Sequence, residues 1–170
     1  NWGDLVGRGV VTWEAKEVNC GKIVTSFMMG TQRLYKFVDN NPMVEMRPVD
    51  YTNDTSLIRR FKRMTAINSA IEVDITGQVC ADSIGSRMYS GVGAQMDFVR
   101  GAVLAETGHA IISLPSTAVG GKFSRIAMSR KEGAGVTTCR AHVQTTVTAY
   151  VVALLFVRHL TDQPRPLPTP

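Results

Sequence analysis

The stretch Asn68–Phe98, NSAIEVDITGQVCADSIGSRMYSGVGAQMDF, constrains the fold more than any other part of the chain. Apolar residues lead from Ile67 through Ala70 and Ile71 into the alternation Val73, Ile75, which has the period of a strand. Thr76-Gly77 reads as a turn, and a second apolar run follows around Val79. The stretch closes on Gly91-Val92-Gly93-Ala94-Gln95, a loop of small residues that runs at once into the amphipathic segment Met96–Leu104. Strand, loop and helix start together offer bare backbone N–H groups to an anion or a developing oxyanion. Taken alone, the pattern fits an anion cradle and a plain turn equally well.

The rest of the chain alternates strands with helices. Asn1–Val10 reads as the end of a helix stopped by Gly7 and Gly9, so the chain reads as a fragment or a processed subunit. Lys22–Met29 reads as a buried strand, followed by a helix through Leu34, Phe37 and Val38 that Pro42 limits. Val44–Val49 is a short strand with Pro48 at its end. Asn53-Asp54-Thr55-Ser56 is an N-cap cluster opening a basic helix, Leu57–Arg63, whose charges form a solvated face. Further strands are expected at Ala110–Leu114, Phe123–Met128, Gly135–Cys139 and Val143–Thr148, and a short apolar helix at Tyr150–Phe156. The pattern predicts a single α/β domain, residues 1–161, with an open central sheet and flanking helices. In such sheets ligands gather beyond the carboxyl ends of the strands, where the loops Gly91–Gln95 and Ser116–Lys122 fall. Residues 162–170, DQPRPLPTP, read as an unstructured proline-rich tail.

Composition narrows the chemistry. The net charge of +5 steers anionic partners toward the chain, but 7% aromatic content without basic–aromatic interleaving argues against nucleic acid. Cys20, Cys80 and Cys139 lie far apart with no CxxC pair, which argues against a zinc site or a disulfide framework. They read as reduced, buried thiols of a cytoplasmic or organelle-matrix protein. His109, His142 and His159 lack ligand spacing, so no metal is expected. Ser90, Ser113 and Ser116 lack the elbow of a serine hydrolase. Met28, Met29, Met43 and Met46 read as gap-filling core. Glu72 and Asp74 share one strand face, as an acid/base pair or, the better reading, a solvated or loop-pairing face. The longest apolar run, Tyr150–Val157, is too short to cross a bilayer.

Five collinear stretches carry a resemblance: GTQRLYKFVDNNPMVEMRPVDYTND (Gly30–Asp54), AINSAIEVDITGQVCADSIG (Ala66–Gly85), YSGVGAQMDFVRGA (Tyr89–Ala102), LPSTAVGGKFSRI (Leu114–Ile126) and EGAGVTTCRAHVQTTVT (Glu132–Thr148). Together they resemble the C-terminal half of the acetyl-CoA hydrolase/transferase family, which includes 4-hydroxybutyrate, butyrate and succinate CoA-transferases. The resemblance implies CoA transfer between small carboxylic acids through a glutamyl-CoA thioester, with acyl-CoA as substrate and no covalently bound cofactor. It implies that Gly93 and Ala94 stand in the oxyanion loop, that Asn53 matches an active-site asparagine, and that Gly91, Val92, Gln95 and Lys122 face CoA. It implies further that the N-terminal half of the same enzyme is the partner, with homo-oligomerisation left open, and that the compartment is the cytoplasm or a mitochondrial matrix. Capping remains an equal reading for Asn53, and a plain surface lysine for Lys122.

Four departures stand against the family pattern. The nucleophilic glutamate belongs to a His-Thr-Glu-Met-like stretch ahead of the position matched by Asn1, and neither Glu14 nor Glu17 replaces it. The family's Gly-Val-Gly-Gly-Gln reads Gly-Val-Gly-Ala-Gln here, and Ala94 is expected to crowd the backbone and to resist a positive φ. Ala149 stands where the family has a glutamate. The family's next helix becomes HLTDQPRPLPTP, whose prolines cannot be helix interior. These departures support an alternative reading, a catalytically inactive CoA-binding or scaffolding remnant of the fold.

Overall fold

The structure is a computed structural model that describes residues 2–155, with side chains from Leu5 onward. His159 and the proline-rich tail lie outside the described residues.

The chain opens with helix α1 (Trp2–Gly7), and a long connection leads to strand β1 (Ile23–Thr25). Thr31, in extended backbone, starts α2 (Gln32–Val38). The Asn41 side chain donates to the carbonyl of Phe37 as that helix ends, and Pro42 prevents its continuation. Strand β2 (Val44–Met46) then pairs parallel with β1, from Ile23↔Val44 to Thr25↔Met46. The expected strands at Lys22–Met29 and Val44–Val49 are thus real but shorter. Phe27, Met29 and Met46 are largely exposed, so the methionines of this region are not core; Met28 and Met29 line a cavity instead.

Pro48 caps α3 (Val49–Thr52), which ends on Asn53, and Asp54 caps α4 (Thr55–Ile58). The expected basic helix Leu57–Arg63 is not formed. The capping carboxylate starts the helix two residues earlier, and Arg59 closes it after four residues. Leu57, Ile58, Phe61 and Met64 turn inward while Arg59, Arg60, Lys62 and Arg63 stay in solvent.

The main sheet holds β3 (Thr65–Ser69), β8 (His109–Ser113), β12 (Thr145–Val147) and β13 (Val152–Leu154), in the order β13-β12-β8-β3. The first three run parallel and β13 is antiparallel. Helix α5 (Gln95–Leu104) packs across β3 and β8, and its Val99 and Ala102 meet Ala66, Ala110, Ile112 and Leu114 in the core. A Cβ at Gly101 would overlap Ile58, so the absent side chain is what lets α4 lie against α5.

Between β3 and α5 the chain makes β4 (Glu72–Asp74), β5 (Val79–Cys80), β6 (Ser83–Ile84) and β7 (Arg87–Met88). The continuous strand expected from Ile67 to Ile75 is broken after Ser69, and its two parts belong to different sheets. After β8 come β9 (Thr117–Ala118), β10 (Phe123–Ser124) and β11 (Ile126–Ala127), the last pairing parallel with β4. The stretch expected as a strand at Gly135–Cys139 contributes only the bridge Val79↔Thr138.

In the described part of the expected apolar helix Tyr150–Phe156, residues 150–155, the chain forms β13 instead; Phe156 lies outside the described residues. The residues of this stretch alternate, with Ala153 and Leu155 buried and Val152 and Leu154 exposed. A short apolar run has no period of its own, and the Thr148–Val151 turn folds this one back onto β12. The result is an open, mixed α/β fold. Among the described residues, no helix is long and apolar enough to cross a membrane.

Candidate functional site

Because β3, β8 and β12 run parallel, their carboxyl ends share one edge of the sheet. Ser69, Ser113 and Val147 stand side by side there. The three loops that leave this edge carry most of the residues expected at the site.

The first is Gly91–Gln95. Gln95 is buried, and its Nε2 donates to the carbonyl of Ser69 at 3.3 Å, which pins the start of α5 to the end of β3. Upstream, the N–H groups of Tyr89 and Ser90 donate to the Asp82 carbonyl. Asp82 is buried too, and its carboxylate accepts from Thr137 at 3.0 Å. Between these anchors Gly91, Val92 and Gly93 are exposed. Ala94 caps α5 without a side-chain bond, and a helix leaves its first N–H groups without intrahelical acceptors. Asp97 in the first turn offsets part of the positive end of the helix.

Gly93 has φ +64°, a left-handed conformation that glycine adopts freely. Ala94 has φ −95° and ψ 8°, so the alanine carries none of the positive-φ penalty expected for it. The loop's left-handed requirement falls on the glycine it has kept.

The second loop follows β8. Leu114 donates from its N–H to the Val147 carbonyl, and Ser116 accepts from Arg125, which closes the β9–β10 hairpin. Lys122 is exposed at its tip, beside Gly120 and Gly121, both of positive φ. The third loop joins β12 to β13. The Thr148 hydroxyl accepts from the N–H groups of Tyr150 and Val151, leaving Ala149 and Tyr150 exposed at the turn.

Asn53 stands apart from these loops in its bonding. Its N–H donates to Val49 and its side-chain oxygen accepts from Thr52, so its partners belong to its own turn. Asp54, not Asn53, caps α4. The Ser56 hydroxyl and N–H, both donating to its carboxylate, hold the Asp54 pKa below the usual carboxylate range.

The structure also reveals groups the sequence did not. Glu72 and Asp74 are buried rather than solvated, and they latch the loop at 130–135 to β4. Lys131 donates from its N–H to Glu72 at 2.9 Å, and Arg130 pairs with Asp74 at 3.3 Å. Of the two readings offered for this pair, loop pairing describes the contacts. The alternation around Val73 marked the residues but not their burial. At the carboxyl edge, Asn68 Nδ2 and Ser116 Oγ are buried without a hydrogen-bond partner among the described residues. Orphaned polar atoms of this kind mark a place where a ligand or water completes the bonding. No periodicity in the sequence signals them. Of the three thiols, Cys80 is buried, Cys139 half-buried and Cys20 exposed, so only Cys80 meets the expectation of a buried thiol. Among the described residues, no three His, Cys, Asp or Glu side chains gather as metal ligands.

Known proteins share both sequence and shape with the chain. Residues 30–167 match the acetyl-CoA hydrolase/transferase C-terminal domain. The chain is 49% identical over 164 residues to the 4-hydroxybutyrate coenzyme A transferase of Clostridium kluyveri, covering 96% of this chain and 38% of that relative. It is 45% identical over 158 residues to the succinyl-CoA:acetate/propanoyl-CoA:succinate CoA transferase of Fasciola hepatica, covering 92% of this chain and 33% of that one. The crystal structure of RipA from Yersinia pestis superposes with a TM-score of 0.89 at 35% identity, covering 97% of this chain and 37% of RipA. The 4-hydroxybutyrate CoA-transferase of Porphyromonas gingivalis gives 0.81 at 35% identity, covering 98% and 38%. The chain thus spans 33–38% of the length of these relatives, at their C-terminal part. It belongs to the acetyl-CoA hydrolase/transferase C-terminal domain family.

Proposed function

We propose that the complete protein moves CoA between carboxylic acids through a glutamyl-CoA thioester, and that this chain supplies the oxyanion loop and part of the CoA and acyl site. A glutamate carboxylate in the remainder of the protein attacks the acyl-CoA carbonyl, and the CoA thiolate leaves. The thiolate then attacks the glutamyl carbonyl of the resulting anhydride, releasing the acyl carboxylate and forming the thioester. The acceptor acid runs these steps in reverse. Each tetrahedral intermediate carries an oxyanion, and the N–H groups at Gly93, Ala94 and the start of α5 are donors fixed in advance for it. Gly91, Val92, Gln95 and Lys122 flank the CoA path, and Asn53 orients the acyl group. Acyl-CoA and small acids such as acetate are the substrates, with no further cofactor. The compartment is the cytoplasm, or the mitochondrial matrix in a eukaryote.

The observation that carries this reading is the Gly91–Gln95 loop, exposed over Gly91–Gly93 at the carboxyl edge and clamped at both ends by Asp82 and Ser69. Double displacement predicts parallel-line initial-rate kinetics for the complete protein and inactivation by hydroxylamine only after exposure to acyl-CoA. Intersecting lines without such inactivation would exclude the covalent route.

A second reading, an inactive CoA-binding domain, draws on Ala149. Its methyl stands exposed at the turn where a glutamate is expected, so no carboxylate reaches from that loop. Calorimetry with CoA on this chain, beside an activity assay of the complete protein, separates the two. Binding without any turnover favours the second reading; turnover excludes it.

A further inference from the structure

The end of β3 opposite Ser69 opens on a different feature. Met64 and Thr65, where the strand begins, line a cavity of about 670 Å³ together with Trp13, Lys16, Phe61 and Phe98. An adjoining cavity of about 460 Å³ shares Trp13, Lys16 and Val24 with it, so Lys16 stands where the two meet. Each falls within the size range of small-molecule sites. Their walls are mostly apolar.

The charges around the larger cavity are unbalanced. Lys16, Lys62 and Arg63 line it against a single acid, Glu17, and of the three cations Lys62 has its ammonium paired with Glu106, outside the lining, at 3.8 Å. The Glu17 carboxylate already accepts from the Lys62 N–H at 3.3 Å, and Glu45, the other acid facing Lys16, is ion-paired with Arg47. Among the described residues, the Lys16 ammonium finds the Lys22 carbonyl at 2.9 Å and the Phe61 ring at 5.5 Å. Burial lowers its pKa, partly opposed by Glu45 and Cys20. An ammonium held among apolar groups with a neutral acceptor and a ring lacks its natural counter-ion. An apolar molecule ending in an anion would satisfy both the walls and the charge.

We propose that this cavity binds an apolar monocarboxylate, with its chain against Phe61, Met64 and Phe98 and its carboxylate on Lys16. The site is independent of the oxyanion loop. Gln95 holds that loop to the far end of β3, about 13 Å away at the rise of a strand.

Trp13 provides the probe. Trp2→Phe leaves it as the single tryptophan, and its emission then follows titration with octanoate, octan-1-ol or free CoA. Octanoate should give a saturable change and bind at least tenfold more tightly than octanol. Lys16→Met should abolish that preference, with the circular dichroism spectrum unchanged, while Lys16→Arg keeps it within about threefold. CoA should not displace octanoate. The proposal is overturned by no saturable change, by equal affinity for octanol in the unaltered chain, by full octanoate affinity in Lys16→Met, or by displacement with CoA. The octanoate–octanol comparison needs no Lys16 variant, so a misfolded Lys16→Met chain would leave the test intact.

Discussion

Replacing Gly93 by alanine isolates the backbone term of the Gly91–Gln95 loop, because Gly91 provides a matched control two residues away. A Cβ at either position meets no heavy atom within 4 Å, so neither change introduces a clash. The two differ in conformation. Gly93 sits at φ +64°, whereas Gly91 is not among the positive-φ glycines. An alanine in the left-handed region costs about 1–2 kcal/mol. Both substitutions recover about 0.4–1 kcal/mol by restricting the unfolded chain. Gly93→Ala should therefore be less stable than Gly91→Ala by about 1–2 kcal/mol, which for a chain of this length separates their Tm values by roughly 2–8 °C. Urea unfolding of the two variants at pH 7, followed by circular dichroism, measures the difference. Equal midpoints would refute the reasoning, since they would mean that the loop does not hold Gly93 left-handed in solution. The reverse change, Ala94→Gly, relieves no positive φ, and the N-cap preference for glycine over alanine offsets its greater unfolded-chain freedom, so it should shift stability by less than about 0.5 kcal/mol.

Other sites give sharper single outcomes. Gly101→Ala places a methyl into Ile58 Cβ and Cγ2; despite better helix propensity it should cost about 1–3 kcal/mol, and a chain as stable as the parent would contradict the α4–α5 packing. Asp74→Asn puts an amide beside the Arg130 guanidinium and should cost about 2–3 kcal/mol, largely abolished in an Arg130→Met background; additive losses would show that the pair is not coupled. The Asp54 pKa is lowered in the folded chain, so its contribution is present above the ordinary value of 3.8 and fades as pH falls through the lower folded value. Asp54→Ala should accordingly be destabilising at pH 7 and indistinguishable from the parent in strong acid. Lys16 gives the same sign in an alkaline window: with its folded pKa lowered, stability rises with pH toward its ordinary 10.5, and Lys16→Met should flatten that rise in alkaline urea titrations.

The sequence was informative where chemistry is local. Asp54 and Pro42 mark helix limits by capping and by a missing donor: α4 starts after Asp54, and α2 ends at Val38, four residues before Pro42. Gly91–Gln95 was legible as a helix entry because small residues preceded an amphipathic period. What stayed hidden depends on tertiary context. Tyr150–Phe156 is a run without a period, and only pairing with β12 decides that its described part is a strand. The burial of Glu72 and Asp74 follows from the loop at 130–135, nearly sixty residues away, folding onto them. The Lys16 cavity joins residues from the connection before β1 to α5, and no spacing announces it. The resemblance supplied a role for Ala94 and an objection to it, and the backbone angle removed half of that objection.

The most direct test of the proposed chemistry is the site of covalent modification. The complete protein should be incubated with acyl-CoA, reduced with borohydride, digested and analysed by mass spectrometry. Reduction of a glutamyl thioester leaves the side chain as an alcohol, a loss of mass confined to one glutamate. The account predicts that residue outside Asn1–Pro170, with no glutamate of this chain altered and with the modification suppressed in Gly93→Ala. A reduced glutamate within this chain, or none anywhere despite measurable transferase activity, would contradict it.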